Sequence, residues 1–171
     1  MATTHEESHT ITRITRFIPK PFNDVLTKLQ SSIKQSTSSP GLSIIDHLDS
    51  KESFETITNK ALGPHGFMQF QQWNHGDWMK LYGVHGKQVT RIVFGNPQIA
   101  ITMLRHDVNA GLFVPVEALI VERLDGRGTD VLQIKPSTLI AGAEGSSQEL
   151  AAAAKVLDEK LEKLWAYVAS D

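Results

Sequence analysis

Cysteine is absent from the 171 residues of this sequence. That absence excludes disulfide bonds, thiolate zinc sites, iron–sulfur clusters and a cysteine nucleophile. A long apolar run is also missing, so no segment is suited to span a bilayer. The polar start of the chain, with Glu6 and Glu7, is not followed by the apolar core of a signal peptide. We therefore expect a soluble, cytoplasmic protein without a membrane partner.

Charge of one sign is not concentrated anywhere in the chain. Lys and Arg number 17 against 19 Asp and Glu, and the net charge is −2. Proteins that bind nucleic acid need a concentrated basic face to displace counterions from phosphates. The pattern therefore predicts no nucleic-acid partner.

Cofactor and metal motifs are lacking as well. Neither a phosphate loop nor a dinucleotide fingerprint nor a serine nucleophile elbow occurs. His65, His75 and His85 fall in separate predicted turns, whereas a metal ion needs three or four converging ligands. We predict neither a cofactor nor a metal site.

The composition fits one globular domain. The hydrophobic fraction is 40% and the charged fraction 21%, both ordinary values for a folded chain of this length. Residues 1–8 are polar, and we predict a disordered tail there and a single domain over residues 9–171.

Hydrophobic periodicity gives the order of elements. Strands are predicted at residues 10–18, 67–73, 78–84, 88–94, 116–123 and 129–135, and helices near 21–33, 50–61, 96–107 and 146–168. Residues 35–41 form a loop by composition, either a mobile flap or a solvated connection, and residues 42–48 are ambiguous and include a candidate short strand. The three strands between residues 67 and 94 would form an antiparallel meander.

This order favours the α+β class. We expect an antiparallel sheet of about five to six strands, with helices packed on one face and a long C-terminal helix. The other sheet face is then covered, wet, or used as an interface. Ser50, Asn96 and the pair Ser146 and Glu149 have the residue types and spacing of helix caps.

The segment from residue 91 to residue 115 resembles the family called domain of unknown function 302. That family has an Asn-Pro that opens a helix, a Leu within the helix, and a Gly-Leu-x-x-Pro that leads into a strand. The matching positions are Asn96, Pro97, Leu104, Gly111, Leu112 and Pro115. The match extends over about 50 residues, from 89 to 141, and a later Asp-Pro of many members is replaced here by Lys135-Pro136.

The resemblance implies a fold and not an activity. It points to a TATA-box-binding-protein-like α+β fold that is often dimeric. Many members carry a Cys before the Asn, and this sequence has Gly95 there, so a thiol-based role does not transfer. The family has no established activity to carry over.

Two residues are candidate acid–base groups. His75 lies between Trp73 and Trp78, which could wall an apolar pocket around the imidazole, or else form part of the core beside a surface turn. Asp77 is close enough in sequence to orient His75. Glu117 shares a strand face with apolar residues, where burial would favour acid–base work unless water or an arginine reaches it.

Three hypotheses for function remain open. The first is a domain that binds a small, largely apolar organic ligand. Its candidate contacts are Phe70, Trp73, Trp78, Tyr82, Asn96, His106 and Phe113. The second is a small cofactor-independent isomerase, cyclase or lyase that uses His75 and Glu117. The third is a homodimer whose exposed sheet face is an interface. Helix capping by Asn96, and a favourable position of His106 at a helix end, are structural alternatives for those two residues.

Overall fold

The computed structural model describes residues 1–34, 50–84 and 86–171. The predicted loop at residues 35–41, the candidate strand at 42–48 and the turn residue His85 lie outside these residues. No helix within the described residues is long and apolar enough to cross a membrane.

Five strands form one antiparallel sheet in the order β1-β5-β4-β3-β2. The strands are β1 (Arg13–Ile18), β2 (Met68–Asn74), β3 (Val89–Gly95), β4 (Val116–Glu122) and β5 (Thr129–Ile134). The helices in the described residues are α1 (Phe22–Ser32), α2 (Lys51–Ala61), α3 (His75–Met79), α4 (Pro97–Leu104), α5 (Pro136–Ile140) and α6 (Gln148–Ala169). Two 3-10 helices span Lys80–Tyr82 and Val108–Phe113. The predicted α+β class, antiparallel sheet and long final helix are confirmed.

One face of the sheet carries the core. Its side chains alternate along each strand with residues of the opposite face, as the period of two requires. Those that face the core include Ile92, Phe94, Ala118, Ile120 and Val131. Helices α1 and α6 cover them, and the ring of Trp165 in α6 meets Phe94 edge to face at 6.2 Å between ring centres. The indole Nε1 of Trp165 donates to Oε1 of Gln133, 2.9 Å away, so the polar edge of this buried ring is paired.

The N-terminal caps of the helices agree with the sequence predictions, except that one cap lies one residue later than predicted. Ser50 accepts a hydrogen bond from the backbone N–H of Ser53, and Asn96 accepts one from Gln98. Both predicted caps are confirmed. In α6 the cap is Ser147, which accepts from the N–H of Leu150, and the prediction of Ser146 was wrong by one residue. The hydroxyl of Ser147, rather than that of Ser146, lies 3.1 Å from the free backbone N–H of Leu150 in the first turn of the helix.

The predicted strand at residues 78–84 is wrong. The chain forms α3 and the following 3-10 helix there, so β2 and β3 pair through a helical connection rather than through a third strand. A strand would need to bury alternate side chains, but Leu81 and Tyr82 are 82% and 79% exposed. Gly76 supports the helical turn, because a Cβ there would lie 2.9 Å from the carbonyl oxygen of Lys87.

The segment that follows Asn96 also differs from the prediction. Helix α4 ends at Leu104, before His106 and Asp107. Asp107 caps the next 3-10 helix instead, by accepting from the N–H of Asn109. Strand β4 then begins after a cis peptide bond between Val114 and Pro115.

Candidate functional site

The second face of the sheet carries no helix in the described part of the chain. Its side chains form rows across the strands. One row runs from Arg13 in β1 through Ile134 and Glu117 to Val93, and the next contains Leu132, Leu119, Arg91 and Trp73. The residues of these two rows therefore form an apolar surface with three charged groups, Arg13, Arg91 and Glu117.

Two adjoining pockets lie on this face. The first has a volume of about 310 Å³ and lies over the strands, and the second has about 240 Å³ and reaches the edge of α5. They share Arg91, Glu117 and Ile134. We call the combined depression the trough. Its lining consists chiefly of Arg13, Arg91, Phe113, Glu117, Leu119, Leu132, Ile134 and Leu139.

An ion pair stands at the centre of the trough. Nε of Arg91 donates to Oε2 of Glu117 at 2.7 Å, and Nη2 of Arg91 contacts the same oxygen. The side chains are 42% and 51% exposed, so both remain in contact with water. The guanidinium of Arg91 also lies 5.3 Å from the ring centre of Trp73, within cation–π range. Arg91 of β3 thus contacts Trp73 of β2 on one side and Glu117 of β4 on the other.

The end of the trough near α5 is shaped by close packing of Pro115 against Gly95 of β3. A Cβ at Gly95 would lie 3.0 Å from Cβ of Pro115 and 3.5 Å from the ring of Phe70. Because glycine has no Cβ, Pro115, which immediately precedes β4, can approach β3 closely at this position. Pro115 and the half-buried Phe113 form the wall that faces Leu139 of α5.

The charges along the trough are unequal. Arg91 is matched by Glu117, whereas Arg13 takes part in no ion pair among the described residues and lines the same pocket. The local balance is therefore one positive charge in excess.

A separate pocket of about 320 Å³ lies at the β4–β5 turn, and its cations are already engaged. Hydrogen bonds from Arg123 and then Arg127 hold the pKa of Asp125 below its usual value. The pKa of Arg123 is raised by its bonds to Asp125 and then Asp130. Each of these charged groups therefore has an ion-pair partner within the turn, and we interpret the network as structural.

Three of the predicted site residues meet at the trough. Glu117 and Phe113 line it, and Trp73 stacks on Arg91 beside it. Phe70 lies beside Gly95 and Pro115 and lines neither pocket of the trough. Glu117 is half exposed and paired with Arg91. This is the alternative in the sequence analysis, in which water or an arginine reaches the carboxylate and it is not buried.

The second group of predicted residues lies elsewhere, on α3 and the 3-10 helix after it. Nδ1 of His75 accepts from Nε1 of Trp78 at 3.2 Å, and Trp78 meets Tyr82 edge to face. Asp77 bonds to Asn74 instead of orienting His75. Trp78 is 52% exposed, so it is not a core residue.

The register separates His75 from Glu117. Asn74, which precedes His75, pairs with Thr90, while Glu117 pairs with Val93 on the other side of β3. Three residues along the strand and two strand spacings put the two backbones roughly 14 Å apart. No contact among the described residues joins these side chains, and the acid–base pair stays a prediction.

The side chain of Asn96 is engaged in hydrogen bonds to the backbone, and the side chain of His106 is exposed. The amide of Asn96 accepts from Gln98 at 2.8 Å and donates to the carbonyl oxygen of Gly66 at 3.0 Å, so both of its polar atoms serve the backbone. His106 is exposed beyond the end of α4. Their roles in ligand binding also stay predictions. Within residues 1–34, 50–84 and 86–171, no three histidines or acidic residues lie together as a metal site would need.

Sequence reasoning missed Arg13, Arg91 and Leu132, whereas Leu119 was already expected on the strand face of Glu117. Strand alternation carried a signal for Arg91, since it is the one charged residue of β3 and so must point to a face that admits water. What the sequence could not supply was the strand register that brings β1, β5, β4 and β3 together at one place.

The chain forms an α+β domain with an antiparallel sheet, of which one face is covered by helices and the other carries no helix of residues 1–34, 50–84 and 86–171. Residues 46–166 match the family described as "Domain of unknown function DUF302", and the chain belongs to this family. The predicted family is thereby confirmed. No curated protein matches the chain significantly.

A solved structure has the same fold. The chain is similar to the crystal structure of an uncharacterized conserved DUF302 protein from Bacillus stearothermophilus, with a TM-score of 0.61 and 15% sequence identity. The likeness covers 91% of this chain and 96% of that one. At this identity it shows the fold alone.

Proposed function

We propose that this protein is a binding domain for a small, largely apolar organic ligand that lies in the trough. The observation that carries the proposal is the open sheet face, on which two adjoining pockets share the Arg91–Glu117 pair. A concave apolar surface with a few fixed polar groups is the usual form of a small-molecule site.

The size of the pockets limits the ligand. The volume of about 310 Å³ lies at the low end of the roughly 300–1,000 Å³ typical of ligand sites, and the volume of about 240 Å³ lies below it. A ligand that filled one pocket would be small, and one that used both would be elongated along β4 and β5. Leu119, Leu132 and Ile134 would contact its apolar part, since all three are partly buried on the outward face.

The proposal includes the extent of the domain. Residues 9–171 would form it, with residues 1–8 as a tail. The backbone N–H of Thr12 donates to Oγ1 of Thr138 at 3.1 Å, and the N–H of Lys135 donates to the carbonyl oxygen of Thr12 at 2.8 Å, which supports a body that includes residue 12. The cytoplasmic location stays a prediction.

Decanol is a suitable neutral probe for this function. We expect it to bind the protein and raise its melting temperature, because binding to the native state alone stabilises it. Leu132→Ser should weaken binding by removing apolar contact in the trough. Leu124→Ser is the matched control, since Leu124 is exposed in the β4–β5 turn outside the trough. Equal affinities in the two variants would contradict the proposal.

The same variants test the alternative that a second copy of the chain covers the open face. Light scattering on the wild type would then give a dimer, and Leu132→Ser would shift it toward monomer. A dimer that dissociates in this variant, together with absent decanol binding in the wild type, would replace the ligand proposal with the interface.

A further inference from the structure

We infer that the polar end of the trough ligand is an anion, and that the ligand class is an apolar carboxylic acid held by Arg13. This inference rests on the proposed binding function. Three charged side chains line the trough over the strands, and two of them are cations. Because Glu117 already matches Arg91, the charge that remains for a ligand is the guanidinium of Arg13.

The position of Arg13 fits a ligand with one charged end. Arg13 lies on β1 directly opposite Ile134 of β5, and Leu132 follows on the same face. A carboxylate bound at Arg13 would place its hydrocarbon over Ile134 and Leu132. A guanidinium presents parallel N–H donors that match the two oxygens of a carboxylate.

The negative charge of Glu117 disfavours binding of the same anionic ligand. Its carboxylate lies in the pocket that contains Arg13, and it occupies the guanidinium of Arg91. Replacing Glu117 by Gln removes a negative charge and leaves Arg91 unmatched. Arg13 and Glu117 variants should therefore change the affinity for an anion in opposite directions, which a loss of folding would not do.

The test compares three probes of equal chain length, decanoate, decanol and decylamine, each below its micelle concentration and at low salt. Isothermal calorimetry is performed on the wild type, Arg13→Gln and Glu117→Gln. Arg105→Gln is the control, since Arg105 is exposed after α4 and lines neither pocket of the trough.

We expect the wild type to prefer decanoate to decylamine. Arg13→Gln should weaken decanoate binding up to about five-fold, the scale of an exposed ion pair, and leave decanol unchanged. Glu117→Gln should strengthen decanoate binding by a similar factor, and Arg105→Gln should change neither.

The outcomes separate the two proposals. Absent binding of decanol and decanoate alike would overturn both. Decanol binding with no preference for decanoate over decylamine would overturn the anion inference and leave the binding domain standing. Equal weakening of decanol and decanoate by Arg13→Gln would likewise contradict a charge-specific role.

Discussion

Arg91 on β3 donates through Nε to Oε2 of Glu117 on β4, 2.7 Å away, and this pair faces water on the open side of the sheet. Exposed ion pairs contribute little, because solvent screens them. A double-mutant cycle with Arg91→Gln and Glu117→Gln should give a coupling of about 0.2–1 kcal/mol in urea unfolding. A coupling of about 3 kcal/mol or more, the scale of a buried pair, would show instead that another molecule covers the face.

The buried bond between Trp165 and Gln133 contributes on a different scale. Trp165→Phe removes the donor and leaves Oε1 of Gln133 without its partner in the core, which should cost about 1–3 kcal/mol in addition to the lost volume. The double variant with Gln133→Met should cost less than the sum of the two single changes, since no polar atom is then stranded. Urea unfolding checks this, and strict additivity would contradict it.

Two glycines of the β4–β5 turn should differ sharply in tolerance. Gly126 has φ of +69° with open space around it, whereas Gly128 has φ of +145° and a Cβ there would overlap the carbonyl oxygen of Ile18. Gly126→Ala should cost about 1–2 kcal/mol, the penalty of the left-handed conformation. Gly128→Ala should cost more, because backbone must move as well. Thermal unfolding of both variants measures the difference, and equal losses would be inconsistent with this packing.

The low pKa of Asp125 gives stability a defined dependence on pH. A carboxyl whose pKa is lower in the folded state contributes stability above its unfolded pKa of about 3.9 and loses it as pH falls toward the folded pKa. The difference in unfolding free energy between wild type and Asp125→Asn should therefore be constant above pH 5 and shrink below pH 4. Glu159→Gln serves as control, since Glu159 is exposed and makes no ion pair in the described residues.

Local signals explain what could be predicted from the sequence. The hairpin of β4 and β5 follows from two alternating strands around a Gly-rich turn, and Asn96 followed by Pro97 marked the start of α4. In each case the residues that decide the structure are neighbours in the chain. At the start of α6 the local signal was misleading by one residue, since the spacing of Ser146 and Glu149 predicted Ser146 and the cap is Ser147.

Residues 78–84 show where local signals fail. Trp78, Tyr82 and Val84 favour strands by type, yet a strand also needs a neighbour and a covered face. The helical connection leaves Tyr82 and Leu81 exposed instead, and Gly83 at φ of +75° turns the chain back toward β3. Residues 78–84 therefore add no strand beside β2, which remains the edge of the sheet, and tertiary packing overrides propensity.

The candidate site depends on contacts that a single sequence cannot show. Glu117 was predicted from its place on an apolar strand face, but its partner Arg91 is 26 residues away. Arg13 meets Ile134 across the β1–β5 pairing of the sheet. Register between such distant strands is fixed by packing of the whole core, so the trough emerges only with the fold.

Methyl NMR on a titration with decanoate tests the central claim most directly, because the two faces of the sheet carry separate sets of methyl groups. We expect shift changes at Leu119, Leu132 and Ile134 on the open face, and unchanged signals from Ile92 and Leu161 in the core. Changes confined to the core or to the exposed residues of the β2–β3 connection, or no change at all, would contradict a ligand site on the open face.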